Sequence, residues 1–159
     1  MTTLSYEAHV KYTGRRFSFA AKSLLASCLD HTALIGGYGI SSVRPDNGEQ
    51  EYTPFRHSTS WVNFTCGTKW KGHFFAGYTK NLGTADALVS ATKYGMGLDI
   101  DQVFSTNIAF SYNLPHWQIG LEYMPTTAWY GDTDRASGKV VDTHSVTNHR
   151  VLGLVMYYF

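Results

Sequence analysis

The stretch that decides the fold is the end of the chain, residues 149–159, which read HRVLGLVMYYF. Apolar side chains continue to the final position, and Tyr157 and Phe159, two residues apart, share one face of a strand. Chain termini are usually poorly ordered, because they hold few contacts. A chain that ends on its most hydrophobic strand therefore needs a surface that covers this strand up to the last residue.

This ending resembles the terminal strand of bacterial outer-membrane β-barrels, in which a final Phe follows aromatic or apolar residues at alternate positions. The resemblance covers residues 151–159, and Gly153 stands one position away from the commonest place of the small residue in that pattern. It implies that Tyr157 and Phe159 form the signal read by the barrel-assembly machinery. The alternative is the last strand of a soluble β-protein.

Length and charge limit the classes of function. A chain of 159 residues is long enough for one domain with a sizeable core, and we take residues 1–159 as one domain. The net charge of +1 argues against a nucleic-acid partner bound through its phosphates. Charged residues make up 16% of the chain, below the ~25% of soluble domains, and aromatic residues reach 15%. This composition favours a barrel that faces lipid.

Apolar and polar residues alternate with a period of two through most of the chain, which is typical of strands with one wet face. In the first strand, for example, Tyr6 and Val10 alternate with Glu7 and Lys11. The pattern predicts an all-β fold, an antiparallel up-and-down transmembrane β-barrel or barrel segment of about eight strands. We place these strands at residues 4–12, 15–27, 32–43, 55–66, 70–80, 101–113, 117–123 and 144–159.

The connections between these strands sort by length. Short turns at 28–31, 67–69 and 113–115 are expected at the end where Phe159 lies, and long polar loops at 44–54, 81–100 and 131–143 at the other. Short periplasmic turns and long external loops are the rule in outer-membrane barrels. One turn, at Thr13 and Gly14, is short but is expected on the long-loop side.

The polar face of each strand supplies the candidate functional residues. Charged side chains are costly against lipid, so in a membrane barrel they must point inward. Rings of such side chains tune which solutes pass. The candidates for lining a pore are Glu7, Lys11, Arg16, Lys22, His73, Asn107, Gln118, Glu122 and Arg150.

The sequence contains no motif for enzyme chemistry, neither a nucleophile elbow nor a zinc-binding HExxH nor a phosphate-binding glycine loop. We therefore expect no catalytic residue, no metal site and no cofactor. The two cysteines, Cys28 and Cys66, allow one disulfide at most, and buried unpaired thiols are the favoured interpretation. Whether they pair stays open at this point.

Two further stretches sharpen the resemblance. Residues 77–83, GYTKNLG, together with residues 148–150, NHR, running into the terminal aromatics, look like the C-terminal region of porin-type outer-membrane proteins from Bacteroidales. Such porins are larger. Because no export signal precedes the strand that begins at Leu4, the resemblance implies that this is the C-terminal half of a wider barrel.

The expected function is passive diffusion of small polar solutes through a porin-like channel in the bacterial outer membrane, without chemistry on the solute. The expected partners are outer-membrane lipid, the barrel-assembly machinery and the solutes, and a homo-oligomer is left open. Two alternatives remain: an anchoring or binding barrel of eight strands with a plugged lumen, and a soluble lipocalin-like carrier. The carrier would place apolar residues inside and polar ones outside.

Overall fold

The computed structural model describes residues 3–29 and 35–159. Within those ranges the chain is all-β, with antiparallel pairing throughout and no helix, as the alternation predicted. The strands are β1 (Ser5–Thr13), β2 (Phe17–Ser27), β3 (Gly36–Val43), β4 (Gln50–Pro54), β5 (Arg56–Gly67), β6 (Trp70–Gly83), β7 (Lys93–Met96), β8 (Ile100–Asn113), β9 (Trp117–Thr133) and β10 (Val140–Tyr157).

The strands form two sheets. Seven of them form a sheet in the order β1-β2-β5-β6-β8-β9-β10, which we call the main sheet. The other three form a smaller sheet in the order β4-β3-β7, which we call the cap. The cap strands lie in the connections between β2 and β5 and between β6 and β8. The main sheet is therefore a simple meander, and two of its connections contain the strands of the second sheet.

The expectation of about eight strands in one wall is wrong in this detail. The segment expected as a strand over 32–43 belongs to the cap from Gly36 onward, and its first residues lie outside the described ranges. Its glycines allow close approach to β7, since a Cβ on Gly37 would lie 2.0 Å from the carbonyl oxygen of Tyr94. Short strands, β4 and β7, also occur inside two connections that were expected as polar loops.

Because the main sheet has seven strands rather than eight, some connections lie at a different end of the sheet from the one expected. The short turns at 14–16, 68–69 and 114–116 all lie at the end where Phe159 lies, which we call the turn end. The connections 28–55, 84–99 and 134–139 lie at the opposite, cap end. The turn at Thr13 and Gly14, expected as the exception, thus follows the rule. The turn expected at 28–31 lies at the cap end, and its residues 30 and 31 lie outside the described part of the chain.

The main sheet is open among the described residues. β1 pairs only with β2, and β10 pairs only with β9, so each forms an edge. The register is regular toward the turn end and shifts near the cap end, between Arg56 and His57, between Ile100 and Gln102, and between Val141 and His144. These irregularities are β-bulges, which bend a strand and increase its twist.

The buried apolar residues of the described chain gather at the cap end. Phe55, Leu88 and Leu98 form a cluster in which Phe55 is completely buried. Phe55 directly follows β4, and its backbone N–H donates to the carbonyl oxygen of Gly37 at 2.9 Å. Connections from different parts of the chain meet here, because the backbone N–H of Val89 donates to Ile40 and that of Leu88 donates to Arg135.

The two cysteines lie at opposite ends of the main sheet. Cys66 is paired with Phe17 at the start of β2, whereas Cys28 follows the end of the same strand. Eleven residues of strand span about 36 Å, far beyond the ~7 Å limit between the Cα atoms of a disulfide. The two therefore cannot pair within one chain. The expectation of buried thiols is wrong for Cys66, which is exposed on the sheet surface.

Candidate functional site

The pairing register sorts every residue of the main sheet onto one of two faces, since directly paired residues share a face and neighbours along a strand alternate. One face, which we call the apolar face, carries large exposed side chains from all seven strands. They are Tyr6, Val10, Tyr12, Phe17, Leu25, Val62, Phe64, Phe74, Tyr78, Phe104, Ile108, Phe110, Ile119, Leu121, Tyr123, Val151, Val155 and Tyr157.

None of these side chains is charged, and their exposed fractions run from 38% at Val62 to 68% at Val151. Soluble monomers rarely expose a continuous apolar area of this extent. A surface of this kind needs to be covered by lipid or by another protein.

Aromatic pairs stand at the turn end of the apolar face. Ring centroids are 5.1 Å apart for Tyr12 and Phe17, and Trp70 lies 4.5 Å from Tyr112. A third pair, Trp117 and Tyr157, has centroids 4.7 Å apart. The first pair flanks the turn between β1 and β2, and Trp70 and Tyr112 each lie beside a short turn. The third pair links the last short turn to the C-terminus, where the rings of Phe159 and Tyr157 meet edge to face with centroids 5.2 Å apart. Girdles of aromatic residues are typical where a barrel meets the membrane interface.

The opposite face, which we call the polar face, holds eight of the nine pore-lining candidates named from the sequence. Arg16 is the exception, since it lies in the turn between β1 and β2 rather than in a strand. The eight residues on the polar face are Glu7, Lys11, Lys22, His73, Asn107, Gln118, Glu122 and Arg150.

Charges on the polar face pair across neighbouring strands. Lys22 Nζ lies 2.8 Å from a carboxylate oxygen of Glu7. Toward the other edge, Arg150 donates to Glu122 at 2.5 Å. Each pair joins an edge strand to its neighbour, whereas Lys71, on the polar face of β6, has no ion-pair partner among the described residues.

His73 is the centre of a hydrogen-bonded row near the turn end. Its Nδ1 lies 3.1 Å from the hydroxyl of Thr65, and its Nε2 lies 3.4 Å from the hydroxyl of Ser111. Ser111 also accepts a hydrogen bond from the side-chain amide of Asn113 at 3.1 Å. A groove of about 380 Å³ opens beside this row. Its polar lining includes Asn63, His73, Asn107, Ser111, Gln118 and Glu122.

The groove offers hydrogen-bond donors and acceptors together with apolar side chains, among them Phe75, Leu152 and Leu154. Phe75 faces it, and Trp61 lies beside Phe75 with 6.3 Å between centroids. Asn63, Ser111 and these two rings were missed as site residues by sequence reasoning. The alternation within one strand does not give the register between strands, and it is this register that places Asn63 directly beside Phe75.

The cap covers the polar face at its own end of the main sheet. His57 and Asn81 occupy polar-face positions there and are 1% and 2% exposed. Asp101, at the register shift of β8, is 8% exposed and accepts a hydrogen bond from Lys80 Nζ at 2.6 Å. Both ring nitrogens of His57 and the side-chain nitrogen of Asn81 have no partner among the described residues. The enclosed face of the sheet is therefore the polar one.

Residues 3–29 and 35–159 contain no group of three or more His, Cys, Asp or Glu side chains placed to hold a metal ion. The same residues contain no helix long and apolar enough to cross a membrane. No family model, curated protein or solved structure matches the chain.

Proposed function

We propose that the chain forms a wall of a porin-like channel in the bacterial outer membrane, through which small polar solutes diffuse passively. The observation that carries this proposal is the division of the main sheet into two faces. One is apolar, exposed on all seven strands and uncharged except for Arg56 and Lys80 near the cap end, and the other is polar and partly enclosed by the cap. A sheet of this kind suits lipid on one side and water on the other.

The length of the apolar face fits a membrane. Along β9 it runs from Trp117 to Trp129, a distance of about 40 Å at ~3.3 Å per residue. With the ~45° tilt of barrel strands, this corresponds to roughly 28 Å along the membrane normal, close to the ~25 Å apolar band of outer-membrane barrels. A lipocalin-like carrier would enclose its apolar face, whereas here the cap encloses the polar one.

The polar face suggests the class of solute. Most of the polar groups that line the groove are amides and hydroxyls, and the charged pairs near the edges are internally neutralised. Hydrogen-bonding neutral solutes match such a lining better than strongly charged ones. Solute recognition requires no covalent step, and the chain would act by shape and hydrogen bonding.

Two neighbours on β8 test the proposal with a matched control. Asn107 lies on the polar face and Ile108 on the apolar face, with Ile108 50% exposed. In the bacterium that carries the gene, Asn107→Trp should slow uptake of small polar solutes, because the ring narrows the passage. Ile108→Trp should leave uptake unchanged. Equal effects of the two variants, or uptake that does not depend on the protein at all, would contradict passive diffusion.

Labelling tests the membrane placement without measuring transport. Asn107→Cys should react with a water-soluble thiol reagent added to membranes, and Ile108→Cys should react only with a lipid-soluble one. Both variants are made with Cys66 replaced by Ser, since Cys66 is exposed on the apolar face. Rapid reaction of both positions with the water-soluble reagent would contradict a lipid-covered face.

A second candidate is an anchoring barrel with a filled lumen, favoured by the cap that buries His57 and Asn81 at one end of the polar face. It predicts the same labelling pattern at the lipid side but no solute uptake. The role of the terminal aromatics in assembly is tested by deleting Phe159. Loss of the protein from outer-membrane fractions, with normal refolding in detergent, would support recognition of Tyr157 and Phe159 by the assembly machinery.

A further inference from the structure

The directions of the two edge strands limit how the main sheet can close. Every neighbouring pair in the sheet is antiparallel, and the sheet contains seven strands. The first and the last strand of an odd antiparallel series run the same way, so β1 and β10 both run from the cap end to the turn end. If the sheet closed on itself, β1 and β10 would meet as a parallel pair.

Strand length also argues against self-closure. β1 has 9 residues and β10 has 18, so β1 covers only half of its prospective partner. The remaining half of β10 would keep unpaired N–H and C=O groups beside the apolar face. Unpaired backbone groups are costly in hydrocarbon, which is why membrane-spanning sheets have no free edge.

A second copy does not solve the problem. Two copies with their caps on the same side of the membrane would join β10 of one to β1 of the other, again in parallel. Antiparallel pairing of β10 with β10 of a second copy needs a two-fold axis perpendicular to the sheet. This axis would place the two caps on opposite sides of the membrane.

We propose that the main sheet is completed by an odd number of further amphipathic β-strands, which are not among residues 3–29 and 35–159. The first of them runs antiparallel to β10 and the last antiparallel to β1. This inference rests on the membrane placement proposed above and not on solute passage.

The two edges indicate the chemistry of the incoming strands. Lys11, on the polar face of β1, has no ion-pair partner among the described residues, so the strand beside β1 should present a carboxylate to it. On β10 the polar face turns apolar near the turn end, where Leu152, Leu154 and Met156 are 36% to 47% exposed. The strand beside β10 should therefore be apolar on both faces there.

Cysteine crosslinking in lipid vesicles tests whether the edges meet each other. In a background with Cys28 and Cys66 replaced by Ser, His9→Cys is combined in turn with His144→Cys, Asn148→Cys, Leu152→Cys and Met156→Cys. The positive control is Ser105→Cys with Thr126→Cys, since these polar-face hydroxyls lie 2.8 Å apart on paired strands. We expect the control to crosslink and none of the four edge combinations to do so. A crosslink between β1 and β10, within one chain or between two, would overturn the proposal.

A synthetic peptide with the sequence of residues 117–133 and an added N-terminal cysteine tests the direction of the incoming strand. An antiparallel strand places this cysteine at the turn end. We expect it to crosslink to Met156→Cys and to Thr13→Cys at least tenfold more than to His144→Cys, and more than a peptide of shuffled sequence does. Preferential reaction with His144→Cys, or no difference from the shuffled peptide, would overturn the proposal. If the chain fails to insert into vesicles, the proposed membrane function fails as well, whereas insertion without antiparallel pairing overturns this inference alone.

Discussion

The cap and the main sheet place their large apolar side chains in opposite ways. In the cap region Phe55 is completely buried and packs with Leu88 and Leu98. In the main sheet Phe110 is 64% exposed and Val151 is 68% exposed. The cap region thus holds a small core that is stabilised by the hydrophobic effect. The main sheet is held by its ladder of hydrogen bonds and needs another medium or another protein to cover it.

The largest effect is expected from Phe55→Ala, which would remove the centre of the cap cluster. Truncating a buried Phe costs about 3–5 kcal/mol. Amides of the cap strands should lose most of their protection from hydrogen exchange in detergent, and those of the main sheet should keep theirs. Phe110→Ala is the control and should change little. Simultaneous loss of protection in both sheets would mean that they unfold as one unit.

The next effect concerns the medium around the main sheet. Ile108→Arg puts a charge in the middle of the apolar face and should lower the free energy of unfolding in lipid by about 2–4 kcal/mol. Asn107→Arg, at the neighbouring position on the polar face, should lower the free energy of unfolding much less. Denaturant titration of both variants in vesicles measures the difference. Similar losses for the two would contradict a division into a lipid side and a water side.

A smaller effect is expected where the cap strands approach most closely. Gly37→Ala places a Cβ 2.0 Å from the backbone oxygen of Tyr94, so β3 and β7 must move apart, at a cost of roughly 1–3 kcal/mol. In β10, a Cβ at Gly153 meets nothing within 4 Å, and Gly153→Ala should be tolerated. Thermal unfolding of the two variants compares a crowded glycine with an open one. Equal tolerance would show that the β3–β7 contact is looser than described.

The smallest effect is expected at the turn between β9 and β10, where the backbone of Arg135 contacts Leu88 of the cap cluster. Hydrogen bonds from the Ser137 hydroxyl, at 2.6 Å, and from the Ala136 N–H hold the pKa of Asp134 below its ordinary value. A lowered pKa in the folded state means that this stabilisation is present above the ordinary pKa and is lost as the pH falls through the lowered one, below about pH 4. Asp134→Ala should remove that pH response. The amide resonances of 136 and 137 report it, and an unchanged response in the variant would exclude Asp134 as its source.

The main sheet could be predicted closely from the sequence and the cap could not. Alternation in 4–12, 70–80 and 101–113 indicates directly which face is apolar, because each side chain of such a strand contacts only one of two environments. Glu7, Lys22, Glu122 and Arg150 were therefore assigned to the correct face without knowledge of their partners. The pairs that they form depend on register between strands, which alternation within one strand does not contain.

The cap was missed although a strand was expected over 32–43, because that strand was counted as part of the main wall. The strands that pair with it, β4 and β7, have five and four residues and lie inside connections that were expected as polar loops. Missing the cap changed the parity of the strand count, and this moved the turn at Thr13 and Gly14 to the wrong end. Trp61 lies on the polar face because it pairs directly with Gly77, and this pairing cannot be read from the alternation within one strand.

The three bulges near the cap end have a consequence for how this protein can change during evolution. A slip of one residue in a two-sided sheet exchanges its faces, and here it would turn Glu122 onto the apolar face. The register shifts near His57, Gln102 and His144 lie between the cap-end connections and the regular ladder beyond them. An insertion or deletion in a cap connection can be absorbed at these points before it reaches the main sheet. The cap can therefore gain or lose residues while the side chains of the apolar face keep their orientation.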